Sequence, residues 1–490
     1  MRIGLDFGTT NSGAAVFDGQ RVHVLPLERS AEPPSPASRQ SSTSHDPTVI
    51  RSTMYITRDH EVSIGRQAIE TYYRQNIGRP SRLVRQYVGE IEMTVGDVGS
   101  VKGYPVGSST FVRDVYVLVD ELTPGRLLRS LKSGLATSYE GTTIFGRYYA
   151  LEDLVALYLR EIRERVEAVT GQTVEGVVLG RPVNFVSSSG EADNQRAVDR
   201  LRRAAQEAGF REVAFELEPV AAALHYELRV SKPQNVVVFD LGGGTLDITV
   251  MRVGEPGRGR SRKDRQVFAT GGVGIAGDAF DQRVIEALLL DHFGRGSIVR
   301  LGAHDGARDE NATPFPRQYT DALVNWQAVP ELTKPETLHF LQLAQISGSH
   351  PARIKALESL LVNNYAARLF DEVERAKIDL STGHFALIRL AEEEIDVWQP
   401  LTRSHFESLI ADEARRIEAC LLDTLDLSGL RPDDIDAVVR TGGSAQIPFF
   451  IDMLGRVFDP ERVVLIEVFS GVTAGLAIRA GMGEDDEFNC

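Results

Sequence analysis

Residues 3–16 read IGLDFGTTNSGAAV, and residues 237–250 read VVFDLGGGTLDITV. In each stretch an apolar strand ends in an aspartate, Asp6 or Asp240, and a tight turn of small residues and a second apolar segment follow. The two aspartates lie 234 positions apart, about half of the chain. This repeat predicts two similar lobes that each offer a carboxylate and a turn rich in backbone N–H groups to a shared cleft. Paired sites of this kind are typical of proteins that hold a polyphosphate and its metal.

Both turns consist of small and polar residues that can present backbone N–H groups to an anion. Three consecutive glycines would each cost a strand roughly 0.5–1 kcal/mol relative to Ala, so they indicate close approach of a ligand or of another backbone. For the first copy alone, a β-turn with a solvated aspartate is the better explanation. For the second copy, a flexible turn explains the glycines but not the flanking Asp240 and Asp247. The turn residues are Gly8, Thr9, Thr10 and Asn11 in the first copy and Gly242, Gly243, Gly244 and Thr245 in the second.

Four further places carry residues suited to the same cleft. A glycine-rich loop over 271–281, which contains Gly277, precedes a predicted helix, and a helix N-terminus of this kind is a good anion site. The residues TGGS at 441–444 lie between a predicted strand and a helix, where a nucleoside can press against glycine backbone. Glu218 ends a predicted strand, where it can place a carboxylate in the cleft. The small residues PVAAA that follow it can also be explained by close packing of a helix against its neighbours. Lys132, in LLRSLKSGL, can reach a phosphate, although on spacing alone a surface lysine is the better explanation.

The composition is that of an ordinary globular protein, with 42% hydrophobic and 25% charged residues. A chain of 490 residues is too long for one compact core, so we expect two or more domains. The net charge of −15 argues against a general nucleic-acid binder. The two cysteines cannot form a disulfide framework, and we find no signal peptide and no apolar run that would span a bilayer. These features predict a cytoplasmic protein without a nucleic-acid or membrane partner.

The alternation of predicted strands and helices indicates an α/β protein. We predict a first lobe over 1–232, with an inserted subdomain over about 31–145. A second lobe is predicted over 233–465, with a largely helical subdomain over about 282–410. Residues 466–490 are expected to form a C-terminal helix that returns to the first lobe, followed by an acidic tail.

Taken in order, these motifs resemble the nucleotide-binding domain of DnaK-type heat-shock chaperones, which belongs to the superfamily of actin and the sugar kinases. The resemblance spans most of the chain and implies an actin-like ATPase fold, a duplicated ribonuclease H-like domain with two lobes around a nucleotide cleft. It also implies ATP or ADP with Mg²⁺ as ligands. The chain resembles the YegD-like branch, which has little more than this domain, and we expect no peptide-binding domain. The motifs are DFGTTNS, EPVAAA, FDLGGGTLD, GGxxxAGDxFD, ERAKxxLS and TGGSxxIP.

The resemblance implies a role for each matching residue. Asp6 and Asp240 resemble the carboxylates that hold hydrated Mg²⁺, and Lys132 resembles the catalytic lysine of the family. Glu218 and Asp247 resemble the acidic residues that order the metal waters and the attacking water. The implied catalytic set is Lys132, Glu218, Asp247 and Thr245. The implied nucleotide contacts include the two phosphate turns and Gly277. Glu374 and Lys377 are implied at the ribose, and Ile378 and Ser381 at the adenine. The implied wall of the nucleoside pocket is formed by Gly442, Gly443 and Ser444.

Two departures from the family pattern affect the adenine pocket. Ile378 and Gln446 stand where the family has arginines that cover the base. Each lost cation–π contact removes about 0.5–2 kcal/mol, so we expect nucleotide affinity to be about one to two decades weaker than with both arginines. Ile378 can still pack against the base, and the residues of both phosphate turns are all present.

Together these features predict a Mg-dependent protein that binds ATP, hydrolyses it slowly and acts on an unknown protein partner or client by nucleotide-driven lobe rotation. A small-molecule kinase of the same superfamily is one alternative, and the motifs EPVAAA and FDLGGGTLD argue against it. A non-hydrolysing nucleotide sensor or an actin-like polymer unit is the other alternative, which the altered adenine pocket supports to some degree.

Overall fold

The structure, a computed structural model, describes residues 1–29, 46–79, 83–95, 109–120, 122–254, 265–300, 312–465 and 470–482. Part of the predicted inserted subdomain and the predicted acidic tail lie outside the described residues.

Strands and helices alternate along the described chain, as the sequence predicts for an α/β protein. In chain order the strands are β1 (Arg2–Phe7), β2 (Asn11–Phe17), β3 (Val22–Val24), β4 (Ile50–Arg51), β5 (Thr53–Thr57), β6 (Val62–Ile64), β7 (Leu83–Val95), β8 (Ser109–Asp120), β9 (Gly125–Arg129), β10 (Gly141–Ile144), β11 (Arg147–Ala150), β12 (Gly176–Arg181), β13 (Glu212–Leu217), β14 (Gln234–Leu241), β15 (Leu246–Val253), β16 (Gln266–Val273), β17 (Ile298–Arg300), β18 (Ala312–Pro314), β19 (Phe385–Glu392), β20 (Ile395–Thr402), β21 (Ala437–Thr441) and β22 (Val463–Leu465).

The helices cover the sheets and connect their parallel strands. Among the described helices, none has both the length and the apolar character needed to cross a bilayer. In chain order they are α1 (Arg66–Asn76), α2 (Leu151–Thr170), α3 (Glu191–Glu207), α4 (Glu218–Glu227), α5 (Gly277–Val284), α6 (Gln318–Asp321), α7 (Pro335–Ser347), α8 (Pro351–Val362), α9 (Ala366–Thr382), α10 (Arg403–Leu409), α11 (Ala411–Ser428), α12 (Pro448–Val457) and α13 (Gly471–Ala480).

The two central sheets have equivalent topologies. The first has the order β13-β12-β1-β2-β3, with β4 paired to β2, and the second has the order β16-β15-β14-β21-β22. In each sheet a three-stranded antiparallel meander continues from its first strand into two parallel strands, because β1 pairs parallel with β12 and β14 pairs parallel with β21. The repeated sequence is therefore a structural repeat, and the predicted α/β fold is confirmed.

Helices α4 and α13 lie between the two sheets. Ala221 of α4 shares one buried cluster with Val178 of β12 and Val236 of β14, so this helix packs on strands of both halves. The helices approach very closely, since a Cβ atom on Gly475 would lie 1.7 Å from the Ala221 carbonyl oxygen. Close packing therefore explains the alanines after Glu218. Glu218 itself is the first residue of α4 rather than the last residue of a strand.

The region 282–410 also contains a β-hairpin that the sequence analysis did not predict. Strands β19 and β20 pair antiparallel, with Phe385 opposite Thr402 and Glu392 opposite Ile395. Alternate residues of β19 are buried, as in a sheet with one solvent-facing side. Only two residues separate the end of α9 from the start of β19, so the apolar positions of the strand look like a continuation of the helical pattern.

Candidate functional site

The turns that follow β1 and β14 lie against each other. A Cβ atom placed on Gly243 would lie 2.0 Å from the Thr10 hydroxyl oxygen, and one placed on Gly244 would lie 2.8 Å from the Thr9 hydroxyl oxygen. A side chain at position 243 would therefore have to displace Thr10. Gly243 and Gly244 are explained by this approach of the two halves, one of the two causes that the sequence predicted, whereas a Cβ atom on Gly242 would meet only the Thr245 carbonyl oxygen, at 3.9 Å.

The glycine-rich loop before α5 supports the second turn. The Gly277 N–H donates to the Gly242 carbonyl at 3.2 Å, and the Asp278 N–H donates to the Gly243 carbonyl at 2.7 Å. Ser444 Oγ also donates to the Gly242 carbonyl, at 2.7 Å. These bonds fix the conformation of the turn through its carbonyl groups. The structure thus brings Gly277 and Ser444 together at the second turn.

Four acidic side chains and one lysine form a cluster at the strand ends next to these turns. Lys132, in a short 3₁₀ turn over Leu131–Gly134, is buried. Its Nζ lies 2.5 Å from Oε1 of the buried Glu218. Asp6 and Asp240 occupy the equivalent strands β1 and β14, and Asp247 lies opposite Asp240 in the β14–β15 ladder. The structure therefore brings together the predicted catalytic and metal-binding carboxylates.

The cluster has more negative than positive charge, and its pKa values reflect this. Burial and the charge of Glu218 raise the pKa of Asp6 to about 7, against the lowering effect of Lys132. Burial and the carboxylates of Glu218, Asp247 and Asp6 raise the pKa of Asp240 well above its ordinary value. Burial lowers the pKa of Lys132, but Glu218 and Asp6 raise it more, so the lysine is cationic. Such a site favours the binding of a further cation.

Asp247 has a fixed orientation. It accepts a hydrogen bond from the Val183 N–H at 2.5 Å and another from Thr245 Oγ1 at 2.7 Å. Burial and the charge of Glu218 raise its pKa to about 7, despite these two bonds. Val183 follows β12 of the first sheet, so its N–H connects the two halves at the site. Sequence reasoning missed Val183, because a backbone donor leaves no signal in the residue type.

The cluster fits a hydrated metal ion. In the part of the chain that the structure describes, no three His, Cys, Asp or Glu side chains are grouped as direct ligands of a metal. Asp6 and Asp240 nevertheless offer carboxylates from equivalent strands, and burial together with neighbouring carboxylates raises their pKa values, so a cation would stabilise their ionised forms. Mg²⁺ keeps several of its waters and is usually bound by one or two carboxylates together with substrate phosphates. The residues present therefore fit Mg²⁺ held through water.

A second group of predicted residues lies on α9. Lys377 Nζ forms an ion pair with Asp281 at 2.6 Å and donates to the Gly277 carbonyl at 3.1 Å. Ser381 Oγ donates to the Lys377 carbonyl at 3.3 Å. Ile378 is 50% exposed and offers an apolar surface. Sequence reasoning gave no role to Asp281, although it is the last residue of the GGxxxAGDxFD motif.

The turn after β21 contacts the end of β14. Gly442 has a positive φ of 86°, and a Cβ atom there would lie 2.3 Å from the Leu241 carbonyl oxygen. Gly442 is therefore required both by its backbone conformation and by space. Gly443 then leads into a short 3₁₀ turn over Ser444–Gln446. The predicted wall of the nucleoside pocket thus adjoins the second turn.

Glu374 lies in an ion pair that the sequence did not predict. Arg51 Nη1 donates to Glu374 Oε1 at 2.7 Å. The two residues are 323 positions apart, so no local pattern in the sequence signals the contact. Glu374 therefore connects α9 to the first sheet.

A protein-family model described as "Hsp70 protein" matches residues 74–305 and 356–487. These two segments make up more than half of the chain and include Lys132, Glu218 and the whole of the second turn. The chain belongs to the Hsp70 family. The predicted resemblance to DnaK-type proteins and the actin-like fold that it implies are thereby confirmed, and the YegD-like branch stays a prediction.

One curated Hsp70-family relative is the chaperone protein DnaK of Thermosipho melanesiensis (strain DSM 12029 / CIP 104789 / BI429). It is 26% identical over 374 residues, which are 75% of this chain and 50% of that protein. The chain thus spans about half the length of the curated relative that it matches.

The Hsp70 match begins after the first turn, at residue 74. The equivalence of the first turn to the second therefore rests on the structure. It is carried by the shared strand order of the two sheets, in which the two turns follow the equivalent strands β1 and β14.

Proposed function

We propose that this chain binds ATP with Mg²⁺ between its two strand–turn repeats, hydrolyses it slowly, and acts on a still unidentified protein partner through the relative motion of its lobes. The observation that carries the proposal is the contact of the two turns beside a cluster of four carboxylates and Lys132. Membership of the Hsp70 family supports it. We also infer a cytoplasmic location, because two cysteines in 490 residues are typical of a reducing compartment.

The two turns are the proposed phosphate clamp. Their backbone N–H groups and threonine hydroxyls are donors suited to phosphate oxygens. Asp6 and Asp240 would hold Mg²⁺ through its waters, and the ion would supply positive charge next to the phosphates. The proposed phosphate contacts are Gly8, Thr9, Thr10, Asn11, Gly242, Gly243, Gly244 and Thr245.

The reaction that these residues support is in-line attack of water on the terminal phosphate of ATP, which breaks its bond to ADP and releases ADP and phosphate. Lys132 stabilises the charge that develops on the transferred group, and Glu218 holds its ammonium at 2.5 Å. Asp247, oriented by Thr245 and Val183, directs the attacking water. Most of the acceleration comes from positioning and charge stabilisation.

The nucleoside is proposed to lie between α9 and the turn after β21. Glu374 and Lys377 are the proposed ribose contacts, and Ile378 and Ser381 are the proposed adenine contacts. The backbone of the glycine-rich segments forms the wall of the pocket, at Gly277, Gly442, Gly443 and Ser444.

A non-hydrolysing nucleotide sensor is the second candidate. The observation in its favour is the half-exposed Ile378, which offers the base an apolar contact without a cation. A sensor would bind nucleotide through the same turns, and its output would be the bound state rather than turnover.

Calorimetry with ATP, ADP and GTP, each with and without Mg²⁺, tests the proposal when it is paired with a phosphate-release assay on the full chain. We expect Mg-dependent binding of ATP and ADP and slow release of phosphate from ATP. Binding without phosphate release would select the sensor. The absence of any nucleotide binding at millimolar concentrations would contradict both candidates.

A further inference from the structure

Two ion pairs connect the first half of the chain to neighbouring positions on α9. Arg51 Nη1 lies 2.7 Å from Glu374 Oε1, and Arg129 Nη1 lies 2.9 Å from Asp371 Oδ1. The Tyr73 hydroxyl also donates to Asp371. Since Asp371 and Glu374 are three residues apart on one helix, the two pairs are neighbours. They offer a matched comparison, because only one of them includes a proposed ribose contact.

The position of Arg51 is fixed by its backbone. Strand β4 pairs with β2, which places Arg51 opposite Asn11 of the first turn. The Tyr158 hydroxyl donates to the Arg51 carbonyl at 3.1 Å. Arg51 Nη1 is also 3.5 Å from Asn11 Oδ1, so the guanidinium lies between the first turn and Glu374. A side chain on a rigid strand can orient a partner more accurately than one on a loop.

The Glu374 carboxylate depends on this arginine for its orientation. In the ranges that the structure describes, Arg51 is the only ion-pair partner of Glu374, and the nearby Lys377 is paired with Asp281. Burial raises the pKa of Glu374, but the charges of Arg51 and Lys377 lower it more, so the carboxylate is ionised. The bond to Arg51 uses Oε1, and Oε2 can accept a hydrogen bond from a ligand hydroxyl.

We propose that Arg51 is a positioning residue that holds Glu374 for the ribose hydroxyls, and that it thereby sets the preference of the site for ribonucleotides. The inference rests on the proposed nucleotide function. A hydroxyl that donates to an ionised carboxylate makes a stronger hydrogen bond than one to a neutral acceptor. Holding the carboxylate in advance also removes the loss of side-chain freedom that a mobile glutamate would incur on binding.

Calorimetry with ATP and with 2′,3′-dideoxyATP, which lacks both ribose hydroxyls, tests this role. We expect the native chain to bind ATP about tenfold or more tightly than the dideoxy compound, as the loss of a charge-assisted hydrogen bond implies. Arg51→Gln weakens ATP binding by about that factor and leaves the dideoxy compound nearly unchanged. Glu374→Gln has the same effect, and the double variant loses no more than either single variant, since the two residues act as a unit.

Arg129→Gln is the matched control, because Arg129 pairs with Asp371 and acts on Glu374 only through its charge, without an ion pair to it. We expect it to change the binding of both compounds by the same factor and to keep the preference for ATP. Equal weakening of both compounds by Arg51→Gln would overturn the inference, since it would show a direct phosphate contact or a purely structural role. Loss of the preference in Arg129→Gln would overturn it as well. Either result leaves the proposed nucleotide function standing, whereas a native chain that binds neither compound contradicts both.

Discussion

The phosphate end and the nucleoside end of the proposed cleft are built from different kinds of structure. At the phosphate end the residues lie at strand ends and on turns, where Gly243 fits so closely against Thr10 that no side chain can be added without displacement. At the nucleoside end Lys377 and Ile378 lie on one helix, and half of the Ile378 surface is exposed.

This difference predicts which substitutions change the rate of ATP hydrolysis and which change the affinity for the nucleotide. The phosphate end has a buried excess of carboxylates around one lysine, so the proposed binding of a metal ion would stabilise the ionised carboxylates there. The nucleoside end offers apolar and backbone surface, which contributes less than a guanidinium over the base, by about 0.5–2 kcal/mol per contact. Substitutions within the cluster of carboxylates and Lys132 should therefore change hydrolysis, and substitutions at the nucleoside end should change binding with little effect on hydrolysis.

Replacement of Lys132 should have the largest effect. Lys132→Met removes a cation that lies among four carboxylates, and we expect the rate of ATP hydrolysis to fall on the order of 100-fold while ATP still binds. The folded protein should also lose about 3 kcal/mol of stability, because the buried Glu218 loses its ion-pair partner. Phosphate release and thermal unfolding measure the two effects. The exposed Lys232→Met is the control, and unchanged hydrolysis in Lys132→Met would remove the lysine from the mechanism.

Gly243→Ala tests the contact between the turns. The added Cβ would lie 2.0 Å from the Thr10 hydroxyl oxygen, so one turn must move. We expect ATP affinity to fall by about tenfold to 100-fold, at a cost typical of overpacking. Gly190→Ala is the matched control, since no atom lies within 4 Å of a Cβ atom there. Equal affinity of the two variants for ATP would show that the turns do not act as one clamp.

Asp278, between the two ends, makes stability depend on pH. Burial and the charge of Asp281 raise its pKa to about 7, against Lys377, from an ordinary value of 3.8. The folded protein therefore holds this proton more tightly than the unfolded chain, and the stability that this contributes is lost as pH rises from about 4 to about 7. At pH 8 we expect Asp278→Asn to be more stable than the native chain by on the order of 2 kcal/mol.

Thermal unfolding of the nucleotide-free protein across this pH range measures the difference. The exposed Asp59→Asn should follow the native chain at every pH. A constant offset between Asp278→Asn and the native chain from pH 4 to 8 would contradict the raised pKa.

Restoring a cation at the nucleoside end should have the smallest effect. Ile378→Arg places a guanidinium where a base is proposed to lie, and we expect ATP to bind up to about tenfold more tightly, with little change in the hydrolysis rate. Ile346→Arg is the control, because Ile346 is an exposed isoleucine on α7. Calorimetry measures the gain. Tighter binding in both variants would show a general effect of charge rather than a contact with the base.

The sequence predicts the paired sheets because each half carries its own strand, aspartate and turn. The assignment of Lys132 to the site came from the resemblance, since its spacing alone favoured a surface lysine, and the structure places it beside Glu218. The pairing of Arg51 with Glu374 and the bond from Val183 to Asp247 could not be predicted. Both join distant parts of the chain, and neither leaves a periodic pattern. The β19–β20 hairpin was missed because a short alternation directly after a helix resembles more helix.

A crystal structure of the full chain grown with Mg²⁺ and ADP tests the central claim most directly. We predict that the diphosphate lies between the turns at Thr10 and Gly243, with the metal on the side of Asp6 and Asp240 and the ribose at Glu374. Nucleotide bound elsewhere on the molecule, with both turns free of phosphate, would contradict the account.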